Sequence, residues 1–171
     1  MLKKVMSEKL NNQINHEAFS AYLYYSMSAY FESINLKGFA NWMTMQAQEE
    51  IAHTHRLFTY INDKGDRVLL RALEEPQRDW DSPLACIEDA YNHECFISEC
   101  INECVTLALQ ENDHATNAML QWFVSEQVEE EANADDLVQK LKLIGDNSSG
   151  LYMLDAELGK RTFDPAAEAG Q

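Results

Sequence analysis

Proline and glycine are scarce in this 171-residue chain, at 3 and 6 residues, which excludes collagen-like, low-complexity and many-turned β architectures. Basic residues are also few: 13 Lys and Arg stand against 29 Asp and Glu, for a formal charge of -16. That balance disfavours nucleic acid and anionic membranes as partners and favours cations. No run approaches the roughly 20 apolar residues that a membrane span needs, and the opening MLKKVMSEKLNNQ lacks the apolar stretch of a secretory leader. A cytoplasmic protein is the expectation. There is no CxxC pair, which argues against zinc or rubredoxin-type sites. Cys95, Cys100 and Cys104 fall in one helical-looking segment, where an i, i+4 spacing of about 5–6 Å exceeds the disulfide Cβ spacing of about 3.8 Å. With Cys86, they read as reduced, structural thiols.

The composition does supply a core. Hydrophobic residues make up 46% of the chain, and its length suits one domain that buries about two thirds of its unfolded surface. Apolar periodicity predicts four long helices, about 6–33, 38–64, 83–111 and 114–144, then a short fifth at 150–159 and a loose tail over 160–171. Gly38 marks the first turn and Ser82-Pro83 opens the third helix. Short links make helices one and two, and three and four, antiparallel. The connection from Gly65 to Ser82 is about 18 residues and reaches about 60 Å extended, enough to cross helices about 40–46 Å long. The fold class is therefore all-α, a four-helix bundle with one long crossover and a fifth C-terminal helix.

Alternating steps of four and three trace the inward seam of each helix. They give Leu10, Ile14, Glu17, Ala21, Tyr24 in the first, Met43, Gln46, Glu50, His53, Leu57, Tyr60 in the second, Ile87, Tyr91, Glu94, Ser98, Ile101, Val105 in the third and Leu120, Phe123, Gln127, Glu130, Ala134 in the fourth. Every seam carries a carboxylate near its middle, and none carries Lys or Arg. Unpaired ionised carboxylates in a core cost several kcal/mol each, so a bound cation is the simplest account. The competing account shifts each seam by one position and leaves the acids in water, but the same offset would then have to fail in four helices independently.

Carboxylates with one imidazole suit iron or manganese better than structural zinc. Glu50-x-x-His53 and Gln127-x-x-Glu130 each share a helical face, and Glu17 and Glu94 complete the di-iron carboxylate pattern of one Glu from each of two helices plus an i, i+3 pair from each of the others. Mn or Zn can occupy such a site as well.

The motifs NHEAFSAYLYY, QAQEEIAHTHR, NHE and LQWFVSEQVEEE, with the C-terminal GLYMLDAEL, resemble the non-haem bacterial ferritins over essentially the whole chain. The resemblance implies iron storage and detoxification. In the proteins this chain resembles, two Fe(II) ions are oxidised by O2 or H2O2 at a ferroxidase centre and ferric mineral collects inside a shell of 24 subunits, and the same is expected here. It implies Glu17, Glu50 and His53 on the first iron, with Glu50 bridging, and Glu94 and Glu130 on the second, supported by Gln127 directly or through water. It also implies that Tyr24 orients a ligand or supplies an electron, and that Glu49, Glu126 and Glu129 form a third iron site beside the pair. Where bacterioferritins and retained-cofactor di-iron enzymes have a second Glu-x-x-His, this chain has Gln127 and Glu130; Ile51 stands where bacterioferritins have a haem-binding Met, so no haem is expected. Glu131 is expected outside the iron shell, and Trp122 as a packed aromatic. His16, His55, His93 and His114 are read as surface or inter-subunit groups. The stripe Leu151, Leu154, Leu158 is expected to dock the last helix. The alternatives are a di-iron peroxidase resembling rubrerythrin and a non-catalytic interaction bundle with solvated acids.

Overall fold

In the computed structural model, which describes residues 2–164, the helices are α1 (Lys4–Ser33), α2 (Lys37–Asp63), α3 (Pro83–Gln110), α4 (His114–Ile144) and α5 (Ser148–Leu158). No strand forms among the described residues. The expected tail lies outside them beyond residue 164.

Local chemistry sets the helix ends. Ser82 Oγ accepts from Ala85 N at 3.1 Å with Pro83 in the first turn of α3, and Asn147 Oδ1 accepts from Ser149 N and Gly150 N at 3.0 and 3.1 Å at the start of α5. Three hairpin or loop entries close with a residue at positive φ: Asn35 (61°), Gly65 (70°) and Asn112 (56°). After each, the next amide reaches back to a carbonyl in the last turn, Leu36 to Phe31, Asp66 to Ile61 and Asp113 to Ala108, at 3.0, 3.1 and 2.8 Å. Asn tolerates the left-handed region better than most side chains. The turn between α1 and α2 is therefore made by Asn35, which corrects the reading that gave it to Gly38. Gly38 lies inside α2 and is needed there for a different reason, close approach by α5.

α1 packs along α2 and α3 along α4, and α1 against α3 joins the two hairpins. The crossover runs up α1: Leu69 N donates to Asn11 Oδ1 at 2.6 Å, Ser26 Oγ donates to Gln77 O at 2.6 Å, and Trp80 packs edge-on to Tyr30. It thus delivers the chain from the end of α2 to the start of α3 at the opposite end of the bundle. α5 docks on α2 and α4. Its Leu154 is buried, whereas Leu151 and Leu158 are only partly so.

The core is divided. One apolar cluster holds Met27, Phe31, Phe39, Met43, Ile87 and Leu141, and a second holds Met6, Leu10, Leu57, Ile101, Leu120 and Phe123. Between them lies a buried polar layer of Gln13, Glu17, Ser20, Gln46, Glu50, His53, Glu94, Gln127 and Glu130. In α3 the inward stripe runs through Ala90, Ile97, Cys100 and Cys104, while Tyr91, Ser98 and Val105 are half-buried. Ile87, Glu94 and Ile101 of the expected seam are buried as read, and the inward face widens to the preceding position at the other three. All four cysteines are free thiols, and burial raises Cys104 to about 12.

Candidate metal centre

Glu17 from α1 and Glu50 and His53 from α2 each present a ligand atom within 4.8 Å of the others. Their exposures of 0%, 0% and 1% rule out the solvated reading for these positions. Gln13, one turn before Glu17, donates Nε2 to Glu17 Oε1 at 2.9 Å, leaving Oε2 without a hydrogen bond. Neither oxygen of Glu50 accepts one; His53 Nδ1 stands 3.4 Å from its Oε2. Burial pushes the Glu50 carboxyl well up, with repulsion from Glu94 and Glu17 adding to it and His53 opposing it. Burying a carboxylate with orphaned oxygens is costly, and three donors of this kind facing one another fit a divalent or trivalent cation.

Glu94 from α3 faces the same layer and is satisfied differently. Tyr24 donates its hydroxyl to Glu94 Oε1 in a short hydrogen bond, and Gln127 Nε2 donates to Oε2 at 3.1 Å and to the Glu94 carbonyl at 3.3 Å. Burial and then Glu130 raise Glu94 to about 8, against the lowering effect of Tyr24 and Gln127. Tyr24 is fully buried and its own ionisation is pushed well up, first by burial and then by Glu94. It therefore acts as a donor at ordinary pH. Glu130 is buried, and its Oε2 accepts from Gln46 Nε2 at 2.7 Å. That bond links α2 to α4, which also meet through the Tyr60 and Thr116 hydroxyls, 2.8 Å apart. No Lys or Arg pairs with Glu17, Glu50 or Glu94 among the described residues.

The residues expected at a third site are arranged otherwise. Glu49 is half-buried and ion-paired to Arg161, with Oε2 2.6 Å from Nη2; Glu126 is half-buried and Glu129 is exposed. The close-set group of three does not include them. Glu131 accepts a short hydrogen bond from Ser98. Trp122 is packed edge-on to the His53 ring and under the Arg56 guanidinium, 4.0 Å from the ring centre. His93, read as a surface or inter-subunit group, is half-buried instead: Nε2 lies 2.8 Å from Ser20 Oγ, its ring meets Tyr24 edge-on, and burial lowers it to about 4. Sequence reasoning missed the supporting roles of Gln13 and Gln46, although both stand one turn before a seam glutamate on the same helix.

A ferritin-like domain model matches residues 7–144. The bacterial non-heme ferritin of Staphylococcus aureus (strain MRSA252) is 41% identical over 164 residues, covering 96% of this chain and 99% of that protein. The bacterial non-heme ferritin of Staphylococcus saprophyticus is 38% identical over 164 residues, with 96% and 98% covered. Among solved structures, an engineered closed form of the Archaeoglobus fulgidus ferritin matches with a TM-score of 0.95 at 52% identity, covering 96% of this chain and 100% of that one. The open-pore ferritin from the same archaeon matches with a TM-score of 0.94 at 52% identity, covering 95% and 99%.

Proposed function

The chain belongs to the ferritin family, and from that premise we propose that it stores iron by oxidising Fe(II) at the buried carboxylate layer and depositing ferric mineral within a homo-oligomeric shell. The observation that carries the proposal is the set of Glu17, Glu50 and His53, buried together with oxygens that no hydrogen bond satisfies. These three would take one ferrous ion, with Glu50 shared toward a second ion held by Glu94 and Glu130. Each Fe(II) gives one electron, so a pair supplies the two electrons that reduce O2 to peroxide or H2O2 to water. Tyr24 and Gln127 hold the Glu94 carboxylate from opposite oxygens, and Gln46 holds Glu130. The ligands are thereby oriented before metal arrives. Gln127 turns its amide N–H toward Glu94, which supports an indirect role and a second position weak enough for iron to leave. Glu49, Glu126 and Glu129 are proposed as the adjoining third position.

Assembly is proposed on the family resemblance, with 24 subunits, and on one surface feature. Tyr22, Tyr25, Ile51 and Leu73 line an apolar groove where α1, α2 and the crossover meet, and all four side chains are exposed. No helix among the described residues is long and apolar enough to cross a membrane; a cytoplasmic place of action is part of the proposal.

The test is to add Fe(II) in air to metal-free protein and follow ferric absorbance. Rapid oxidation of about two Fe(II) per chain, then slower formation of soluble mineral at high loading, is expected. Oxidation no faster than in buffer would overturn the proposal.

Anaerobic Fe(II) binding is expected to release protons. With Glu94 raised to about 8 and Glu50 raised as well, the metal-free centre is partly protonated at pH 7, and ligation requires the carboxylates ionised. An indicator titration should show more protons released per iron at pH 7 than at pH 9. Equal release at both values would contradict the protonated state.

A further inference from the structure

The segment after α5 crosses the face of α2 that carries Glu49. Asn41 Nδ2 donates to the carbonyls of Leu158 and Arg161 at 3.3 and 3.0 Å. The Arg161 guanidinium then lies over Trp42, 4.9 Å from the ring centre, with Nη2 2.6 Å from Glu49 Oε2. Farther on, Phe163 lines a cavity of about 620 Å³ with His55, Arg56 and Tyr60. The segment is therefore a strap laid along α2, from Asn41 past Glu49 to His55. Arg161 is held incompletely: Nη1 is buried without a hydrogen-bond partner, so the pair lacks the two-pronged geometry that makes Arg–carboxylate pairs strong.

We propose that this strap is a displaceable countercharge: Arg161 neutralises Glu49 in the metal-free chain, and a metal cation arriving at Glu49 expels the guanidinium and loosens residues 159–164. The inference rests on the reading of Glu49 as an iron-binding carboxylate. A cation coordinated to Oε2 at about 2.0–2.2 Å would stand next to Nη2, which is 2.6 Å from the same oxygen, so the two positive groups repel and compete for the carboxylate. The Trp42 stack and the two Asn41 hydrogen bonds oppose release, so exchange is a competition rather than a one-way switch. Linkage makes the effect reciprocal: whatever factor Arg161 takes from metal affinity, metal takes from strap closure. The strap would thus keep the acidic face neutral in the empty protein and open it as iron accumulates.

The experiment uses the full-length assembled protein, with anaerobic Fe(II) as the probe. Calorimetry gives the affinity of each class of site, and hydrogen–deuterium exchange reads the amides of Lys160 and Arg161, which donate to Glu157 O and Leu158 O at 3.1 and 3.2 Å. Arg161→Gln is expected to tighten the weakest class of site at least about fivefold, the lower end of ordinary coupling, and Arg161→Lys much less. Fe(II) in excess of two per chain is expected to speed exchange of the strap amides by a similar factor in the wild type. In Glu49→Gln, exchange is expected to be fast with or without iron. Unchanged affinity in Arg161→Gln with iron-independent strap exchange in the wild type would overturn the inference while leaving binding of the first two irons intact. Loss of those first two in the wild type would instead overturn the iron-storage reading.

Discussion

Replacing Glu50 by glutamine is expected to slow the rapid phase of Fe(II) oxidation by about a hundredfold or more, and at the same time to leave the metal-free protein more stable near pH 8. The first effect follows from position. Glu50 is fully buried between Glu17, His53 and Glu94, the place from which one carboxylate can serve two ions. Loss of a mere supporting partner at a metal site costs about 10–100-fold, and loss of the shared ligand should exceed that range. The second effect follows from proton linkage. Folding raises the Glu50 carboxyl well above its ordinary 4.5, mainly through burial. For such a group the stability contribution is fully present below about pH 4.5 and is lost as pH rises through the folded-state value. Glutamine has the same length and no proton to lose, so the gain should appear at pH 8 and fade near pH 4. Stopped-flow absorbance and denaturant melts at the two pH values check both halves. Fast oxidation surviving in Glu50→Gln would remove Glu50 from the proposed centre.

That pairing of lost function with gained stability explains why the centre could be read in the sequence at all. Glutamates at Glu17, Glu50, Glu94 and Glu130 break an apolar rhythm that the remainder of each helix keeps, and only a structure that buries them makes the breaks coincide. The inward faces of α1, α2 and α4 followed from steps of four and three because their apolar residues are large and regularly spaced. In α3 the same steps led to Tyr91, Ser98 and Val105, whereas the buried stripe is made by Ala90, Ile97, Cys100 and Cys104. Small residues and thiols sit equally well at the core and at its margin, so hydrophobicity alone put every second position of that seam about one residue late, although Ile87, Glu94 and Ile101 are buried as read. Gln46 was on the seam but had no assigned task; its bond to Glu130 depends on the spacing of α2 and α4, which no single-helix pattern contains. The pairing of Glu49 with Arg161 joins residues 112 apart in the chain. It depends on the way α5 turns back over α2, and charge patterning along a helix does not reach that far.

Gly38 shows the same limit and carries the other large expected effect. In the sequence it looks like a turn glycine, but the left-handed residue is Asn35, and what Gly38 provides is space for its neighbour α5: a Cβ there would stand 1.6 Å from Asp155 O and 2.5 Å from its carbonyl carbon. Both are backbone atoms, so no rotamer change relieves the overlap. The same contact supplies the cap that Leu36 cannot, since Asp155 Oδ1 accepts from Gly38 N and Phe39 N at 2.7 and 3.1 Å, placing a carboxylate at the positive end of α2. Gly38→Ala must push α5 away, losing a cap worth about 1–2 kcal/mol and part of the burial of Leu154, about 1.5–3 kcal/mol when complete. Alanine's helix preference returns about 1 kcal/mol. A net loss of about 1–3 kcal/mol is expected by denaturant unfolding, with faster hydrogen exchange over 148–158. Gly150→Ala is the control: its Cβ would meet side chains rather than backbone, Ile144 at 3.2 Å, which can shift, and Asn147 at an ordinary 3.7 Å, so a change under about 1 kcal/mol is expected. Fast Fe(II) oxidation should persist in Gly38→Ala, because Glu50 lies about 18 Å farther along α2 at 1.5 Å per residue. The strap, which leaves directly from α5, should be open without iron. Full retention of α5 protection in Gly38→Ala would mean that the helix is held by contacts other than this crossing, and the strap would then need an anchor besides α5.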